Sequence, residues 1–76
     1  MSRYEQVCDG LFNQALRDWE PGMDVDAAVE RMAGVLREEH PTLSDRAFNG
    51  ILAAYRQGFT DAETDWNAPS AIVLNR

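Results

Sequence analysis

The chain has 76 residues, with seven arginines, no lysine, thirteen carboxylate side chains and a formal net charge of -6. A surface of this charge repels nucleic-acid phosphates and anionic membranes, whereas it attracts basic proteins. The single cysteine excludes an intramolecular disulfide, and no apolar stretch is long enough for a signal peptide or a membrane span. We therefore expect one cytoplasmic domain that binds neither nucleic acid nor a membrane directly.

The first predicted helix covers about residues 3–20. Ser2 and Glu5 match a capping box, in which each side chain satisfies a free amide at the start of a helix. An apolar stripe with helical spacing follows, and a Pro-Gly pair ends it. Gly10 lies inside this helix, and we interpret it as a point of close packing against a neighbouring helix.

The second predicted helix covers residues 25–39. Asp24 precedes it as a cap, and apolar residues then recur at helical spacing. Pro41 ends the pattern because proline disfavours helical geometry in the residue before it.

The third predicted helix covers about residues 45–65, after Ser44 as a cap. Its apolar stripe crosses Gly58 without losing phase, which favours one continuous helix. The alternative is a break at Gly58 with a new capping box that begins at Thr60.

These patterns predict an all-α fold, a small three-helix bundle with a short extended C-terminal tail. The helical domain covers residues 1–66 and the tail covers residues 67–76. Each helix has one apolar face, and the three faces together supply a single core. The predicted core consists of Val7, Leu11, Ala15, Val29, Met32, Leu36, Phe48, Ile51, Leu52 and Tyr55.

The predicted helices differ in length, which bears on the surface of the bundle. At about 1.5 Å per residue, the third helix spans roughly 32 Å and the second roughly 22 Å. The apolar surface around Phe59 and Trp66 must therefore be covered by the first helix, by the tail or by another chain. We expect Phe59 or Trp66, with Ile72 and Leu74 nearby, to contact a second chain, because aromatic side chains often anchor interfaces. The alternative is that the tail folds back and buries Trp66.

No residue pattern indicates catalysis, a cofactor or a metal. Cys8 and His40 lack a recurrent ligand spacing, and Cys8 lies on an apolar stripe, where a buried thiol is usual. We interpret His40 as a turn residue or a partner of the helix dipole. In size, acidity and helical character the chain is similar to acyl carrier proteins, whose prosthetic-group serine lies in Asp-Ser-Leu. Here the order is Leu43-Ser44-Asp45, so the similarity is one of composition.

The leading hypothesis is a small acidic, non-enzymatic protein-interaction module that binds a larger protein with a basic surface. A narrower version is a phage or mobile-element inhibitor of the anti-CRISPR or anti-restriction type, a nucleic-acid mimic whose carboxylates block a basic groove. The alternative is a structural homo-oligomer, such as a homodimer, or a small accessory subunit of a larger complex. The candidate partner-binding residues are Asp24, Asp26, Glu30, Glu38, Glu39, Phe59, Asp61, Glu63, Asp65 and Trp66.

Overall fold

A computed structural model of the chain describes residues 2–67. It contains three α-helices, α1 (Arg3–Asp18), α2 (Val25–Glu39) and α3 (Asp45–Asn67). The predicted all-α three-helix bundle is confirmed. The predicted extended tail covers residues 67–76. Asn67 is the last residue of α3, and the rest of the predicted tail lies outside the described residues.

Each helix begins at the cap that the sequence predicts. Ser2, Asp24 and Ser44 each accept a hydrogen bond, through a side-chain oxygen, from the amide three residues further along, at 3.2, 3.0 and 3.2 Å. These bonds satisfy amides that have no partner within the helix. The first helix ends two residues earlier than expected, because Trp19 has extended backbone angles. The turn that follows uses Gly22, whose φ of +85° lies in the left-handed region that favours glycine.

Close packing between α1 and α3 dominates the bundle. Gly50 lies against Tyr4, and Gly58 lies against Phe12 and Ala15, so the two helices run parallel. A Cβ atom at Gly58 would lie 2.5 Å from the Phe12 carbonyl oxygen, which is a steric clash. Glycine avoids this clash because it has no Cβ atom. The predicted continuity of α3 through Gly58 is confirmed.

The second helix runs antiparallel to α3, and its backbone lies further from α1 than that of α3 does, although side chains of α1 and α2 share both core clusters. Leu36 packs with Phe48 near one end of the bundle, and Val29 packs in the cluster of Tyr55 at the other. The gap between α1 and α2 forms an open groove of about 310 Å³, and Gly10 lies at its edge. A Cβ atom there would have no atom within 4 Å, so the prediction that Gly10 packs closely against a neighbour is wrong.

The core consists of eight buried apolar side chains. Six of the ten predicted core residues are among them, and the other four are half-buried at the edges of the two clusters. The other two of the eight buried side chains within residues 2–67, Ala28 and Phe59, lie on the predicted apolar stripes but were not among the ten predicted core residues. The buried side chains are Ala15, Ala28, Val29, Leu36, Phe48, Ile51, Tyr55 and Phe59.

Phe59 requires a correction. It is only 1% exposed and offers no surface to a partner, so the expectation that Phe59 binds a partner is wrong and, of Phe59 and Trp66, only Trp66 remains a candidate contact. The cover comes from α1, because Ala15 and Gly58 are small enough for α1 to approach α3 closely. Within α3 the Phe59 ring also packs edge-to-face against Tyr55, with ring centroids 4.8 Å apart.

Candidate partner-binding surface

Two tryptophans meet where α1 and α3 end. The Trp19 and Trp66 rings have centroids 6.1 Å apart and planes inclined by 54°. Trp19 is half-buried, whereas Trp66 is 65% exposed, the most exposed of the large apolar side chains among residues 2–67. The pair lines a shallow depression, and we refer to the surface made by its lining residues, together with the neighbouring Asp61 and Glu63 of α3, as the aromatic end. The lining residues are Leu16, Trp19, Ala62, Asp65 and Trp66.

The parallel arrangement of α1 and α3 explains this pair. Trp19 follows the last turn of α1, and Trp66 lies in the last turn of α3, so the same register that places Gly58 beside Ala15 places the two rings together. In the sequence, Trp19 continues the apolar stripe of the first helix, and this position alone does not mark it as a surface residue. The one available signal was that both apolar stripes end on a tryptophan.

Among residues 2–67, the aromatic end lies within the most negative part of the bundle. Residues 15–29 and 56–67 form this end of the bundle and contain seven carboxylates but only two arginines, or five net negative charges. The C-termini of α1 and α3 add the negative ends of two helix dipoles, and the N-terminus of α2 adds one positive end, which the Asp24 cap faces. A cationic group of a partner is therefore attracted here more strongly than elsewhere. The seven carboxylates belong to Asp18, Glu20, Asp24, Asp26, Asp61, Glu63 and Asp65.

Some of these carboxylates already form a hydrogen bond or an ion pair within the bundle. Asp24 caps α2, and Asp26 forms an ion pair with Arg56 at 2.8 Å. Asp61 accepts a hydrogen bond of 2.8 Å from the Gln57 side-chain amide. By contrast, the exposed side chains of Glu63 and Asp65 make no ion pair or hydrogen bond within residues 2–67. Asp18 and Glu20 are likewise exposed and make no such contact within residues 2–67, and of these four carboxylates only Glu63 and Asp65 lie within one turn of Trp66 on α3.

The structure divides the ten predicted binding residues. It brings six of them to one end of the bundle, namely Asp24, Asp26, Asp61, Glu63, Asp65 and Trp66. Glu30 is exposed one turn further along α2 from Asp26. Glu38 and Glu39 are exposed at the opposite end of α2, about 18 Å along the helix axis from Asp26. Phe59 lies in the core.

Two tyrosines have raised pKa values. Burial raises the pKa of Tyr55, the Asp18 carboxylate raises it further, and Arg31 opposes the shift. A hydrogen bond with the Cys8 thiol is the main cause that raises the pKa of Tyr4. Because both shifts favour the neutral phenol, neither tyrosine is prepared to act as a base near neutral pH.

The described part of the chain shows no candidate metal centre. Within residues 2–67 no three histidine, cysteine, aspartate or glutamate side chains come together in a way that would hold a metal ion. Cys8 is a half-buried free thiol. None of the three helices is long and apolar enough to cross a membrane. No protein-family model matches the chain, and comparisons with curated proteins and with solved structures find no match.

Proposed function

We propose that the chain is a non-enzymatic interaction module whose aromatic end binds a basic surface of a larger protein. The observation that carries this proposal is the position of Trp66, a largely exposed aromatic side chain in the most negative part of the surface. Tryptophan side chains are largely buried on average, and they are enriched among the residues that anchor interfaces. A cytoplasmic location fits the free thiol of Cys8.

Arginine and lysine side chains are the chemical groups that this surface fits. A guanidinium group stacks favourably on an indole face, and carboxylates beside the ring hold its N–H groups through charge-assisted hydrogen bonds. Trp66 supplies the ring, and Glu63 and Asp65 supply exposed carboxylates within one turn of the same helix. Arginine suits this arrangement better than lysine because its planar group combines stacking with two parallel hydrogen bonds.

A structural homo-oligomer or accessory subunit is the alternative. In that case Trp66 would pack against a second copy or against an apolar surface of a complex. Two copies that met through their aromatic ends would bring together two ends of the bundle, residues 15–29 and 56–67, with five net negative charges each. This repulsion favours a basic partner over self-association at this end.

The nucleic-acid mimic of the anti-CRISPR or anti-restriction type is a narrower form of the same proposal. In it, the carboxylates of the aromatic end take the place of phosphates in a basic groove. It adds one specific expectation, that duplex DNA and this protein compete for the same site on the partner.

The test is capture of a partner from a cell lysate with four baits, after light scattering has established the mass of the protein alone. The wild-type bait should retain a partner that Trp66→Ala and the double variant Glu63→Arg/Asp65→Arg both lose. The matched control is Asp9→Arg/Asp45→Arg, which makes the same charge change at the opposite end and should retain the partner. Equal retention by all baits, or loss from the control alone, would contradict the proposal.

A further inference from the structure

The outer side of α2 carries a stripe of exposed residues, and the packing of the monomer gives no reason for an apolar residue and a glycine there. Arg31, Gly34, Val35 and Glu38 lie along it, and we refer to them as the α2 stripe. Val35 is 44% exposed, and a Cβ atom at Gly34 would have no atom within 4 Å. Glycine in a helix interior lowers stability relative to alanine, and no contact within residues 2–67 requires one here.

The α2 stripe is complementary to the same stripe on a second copy of α2 that runs in the opposite direction. Arg31 lies three residues before Gly34, and Glu38 lies three residues after Val35. An antiparallel copy of α2 centred on this pair places each Arg31 beside the partner subunit's Glu38. It also places each Val35 over the partner subunit's Gly34, where no Cβ atom blocks its approach. A surface that meets itself in this way is what a two-fold symmetric interface requires.

We propose that the chain forms a homodimer through the α2 stripe. Charge selects a second copy as the occupant, because the stripe contains one positive and one negative residue and its reversed copy presents them in the opposite order. The groove between α1 and α2 adjoins the stripe through Val35 and extends the apolar surface that a second copy meets. This inference is independent of the function proposed for the aromatic end.

The dimer leaves the aromatic ends free. Because the two α2 helices run antiparallel and each aromatic end lies beside the start of its own α2, the two ends point in opposite directions. Each dimer therefore presents two separate copies of the proposed binding surface. A multivalent basic partner would gain avidity from such an arrangement.

The test measures the dimer dissociation constant by sedimentation over a range of concentrations. Arg31→Glu and Glu38→Arg should each raise this constant about tenfold or more, because each places two pairs of like charges in contact. The double variant Arg31→Glu/Glu38→Arg should restore dimerisation, because the pairs re-form with exchanged partners. Asp9→Arg is the matched control and should leave the constant unchanged, since Asp9 is an exposed residue of α1 that lies neither in the α2 stripe nor along the adjoining groove.

A second variant separates a blocked interface from a damaged fold. Gly34→Gln should raise the melting temperature of the monomer through its helix propensity and still prevent dimerisation, because its side chain occupies the place of the partner subunit's Val35. Trp66→Ala should leave the dimer intact, so failure of the dimer and failure of the proposed function give different results. A wild-type chain that stays monomeric at millimolar concentration, or a charge exchange that does not restore the dimer, would overturn the inference.

Discussion

At the residue scale, Gly58 determines how closely α1 and α3 approach. A Cβ atom there would lie 2.5 Å from the Phe12 carbonyl oxygen and 2.6 Å from the Ala15 Cβ atom. We predict that Gly58→Ala lowers the free energy of unfolding by about 1–3 kcal/mol, because overpacking outweighs the gain in helix propensity. Gly10→Ala, the control, should raise it by about 0.5–1 kcal/mol. Urea unfolding followed by circular dichroism measures both, and stabilisation by both variants would contradict the close contact.

Tyr55 links stability to alkaline pH. Its folded-state pKa is raised above the ordinary 10.0, mainly by burial, so the phenol of the unfolded chain ionises first. The stabilising contribution is therefore complete below about pH 10 and is lost as the pH rises further. We predict that the urea midpoint falls above pH 10 and that Tyr55→Phe makes the fall shallower. An equally steep fall in both proteins would show that Tyr55 is not the group responsible.

At the element scale, local chemistry predicts the helices, but their packing depends on register. Ser2, Asp24 and Ser44 are local signals that fix the start of each helix. Gly10 and Gly58 look alike in sequence, since both lie in the interior of an amphipathic helix. The parallel packing of α1 on α3 places Gly58 in close contact with α1 and leaves Gly10 at an open edge. For this reason, sequence reasoning located the helices correctly and assigned the role of Gly10 wrongly.

The burial of Phe59 leads to a prediction about α3. We expect Phe59→Ala to lower the free energy of unfolding by about 3–5 kcal/mol, because it removes a fully buried ring from the core. Trp66→Ala should cost about 1 kcal/mol or less, because Trp66 is largely exposed and loses mainly its contact with Trp19. Thermal unfolding by calorimetry compares the two variants. A larger loss from Trp66→Ala would mean that the tryptophan is part of the core.

At the scale of the whole molecule, topology gives the acidic surface its position. Composition alone predicts a negative protein and supplies the candidate carboxylates. It does not show that Asp18 and Glu20 share one end of the bundle with Glu63 and Asp65, more than forty residues away. Nor does it show that Glu38 lies at the opposite end of α2. The list of acids was predictable, whereas their division between the two ends required the helix directions.

Salt should weaken binding at this surface. Exposed carboxylates are screened over a Debye length of about 10 Å at 0.1 M salt and about 3 Å at 1 M. We predict that the affinity for a basic partner falls steadily as sodium chloride rises, whereas an interface that depends only on the Trp66 ring would be nearly insensitive. Titration calorimetry at several salt concentrations distinguishes the two cases. Constant affinity would assign the contact to apolar packing.

The most direct measurement is the affinity of an oligo-arginine peptide for two triple variants with equal net charge. They are Asp61→Asn/Glu63→Gln/Asp65→Asn at the aromatic end and Asp9→Asn/Glu39→Gln/Asp45→Asn at the opposite end. Fluorescence anisotropy of a labelled peptide should show roughly tenfold weaker binding for the first variant and near wild-type binding for the second. Equal losses in both would mean that net charge alone attracts the peptide and that the aromatic end is not a binding surface.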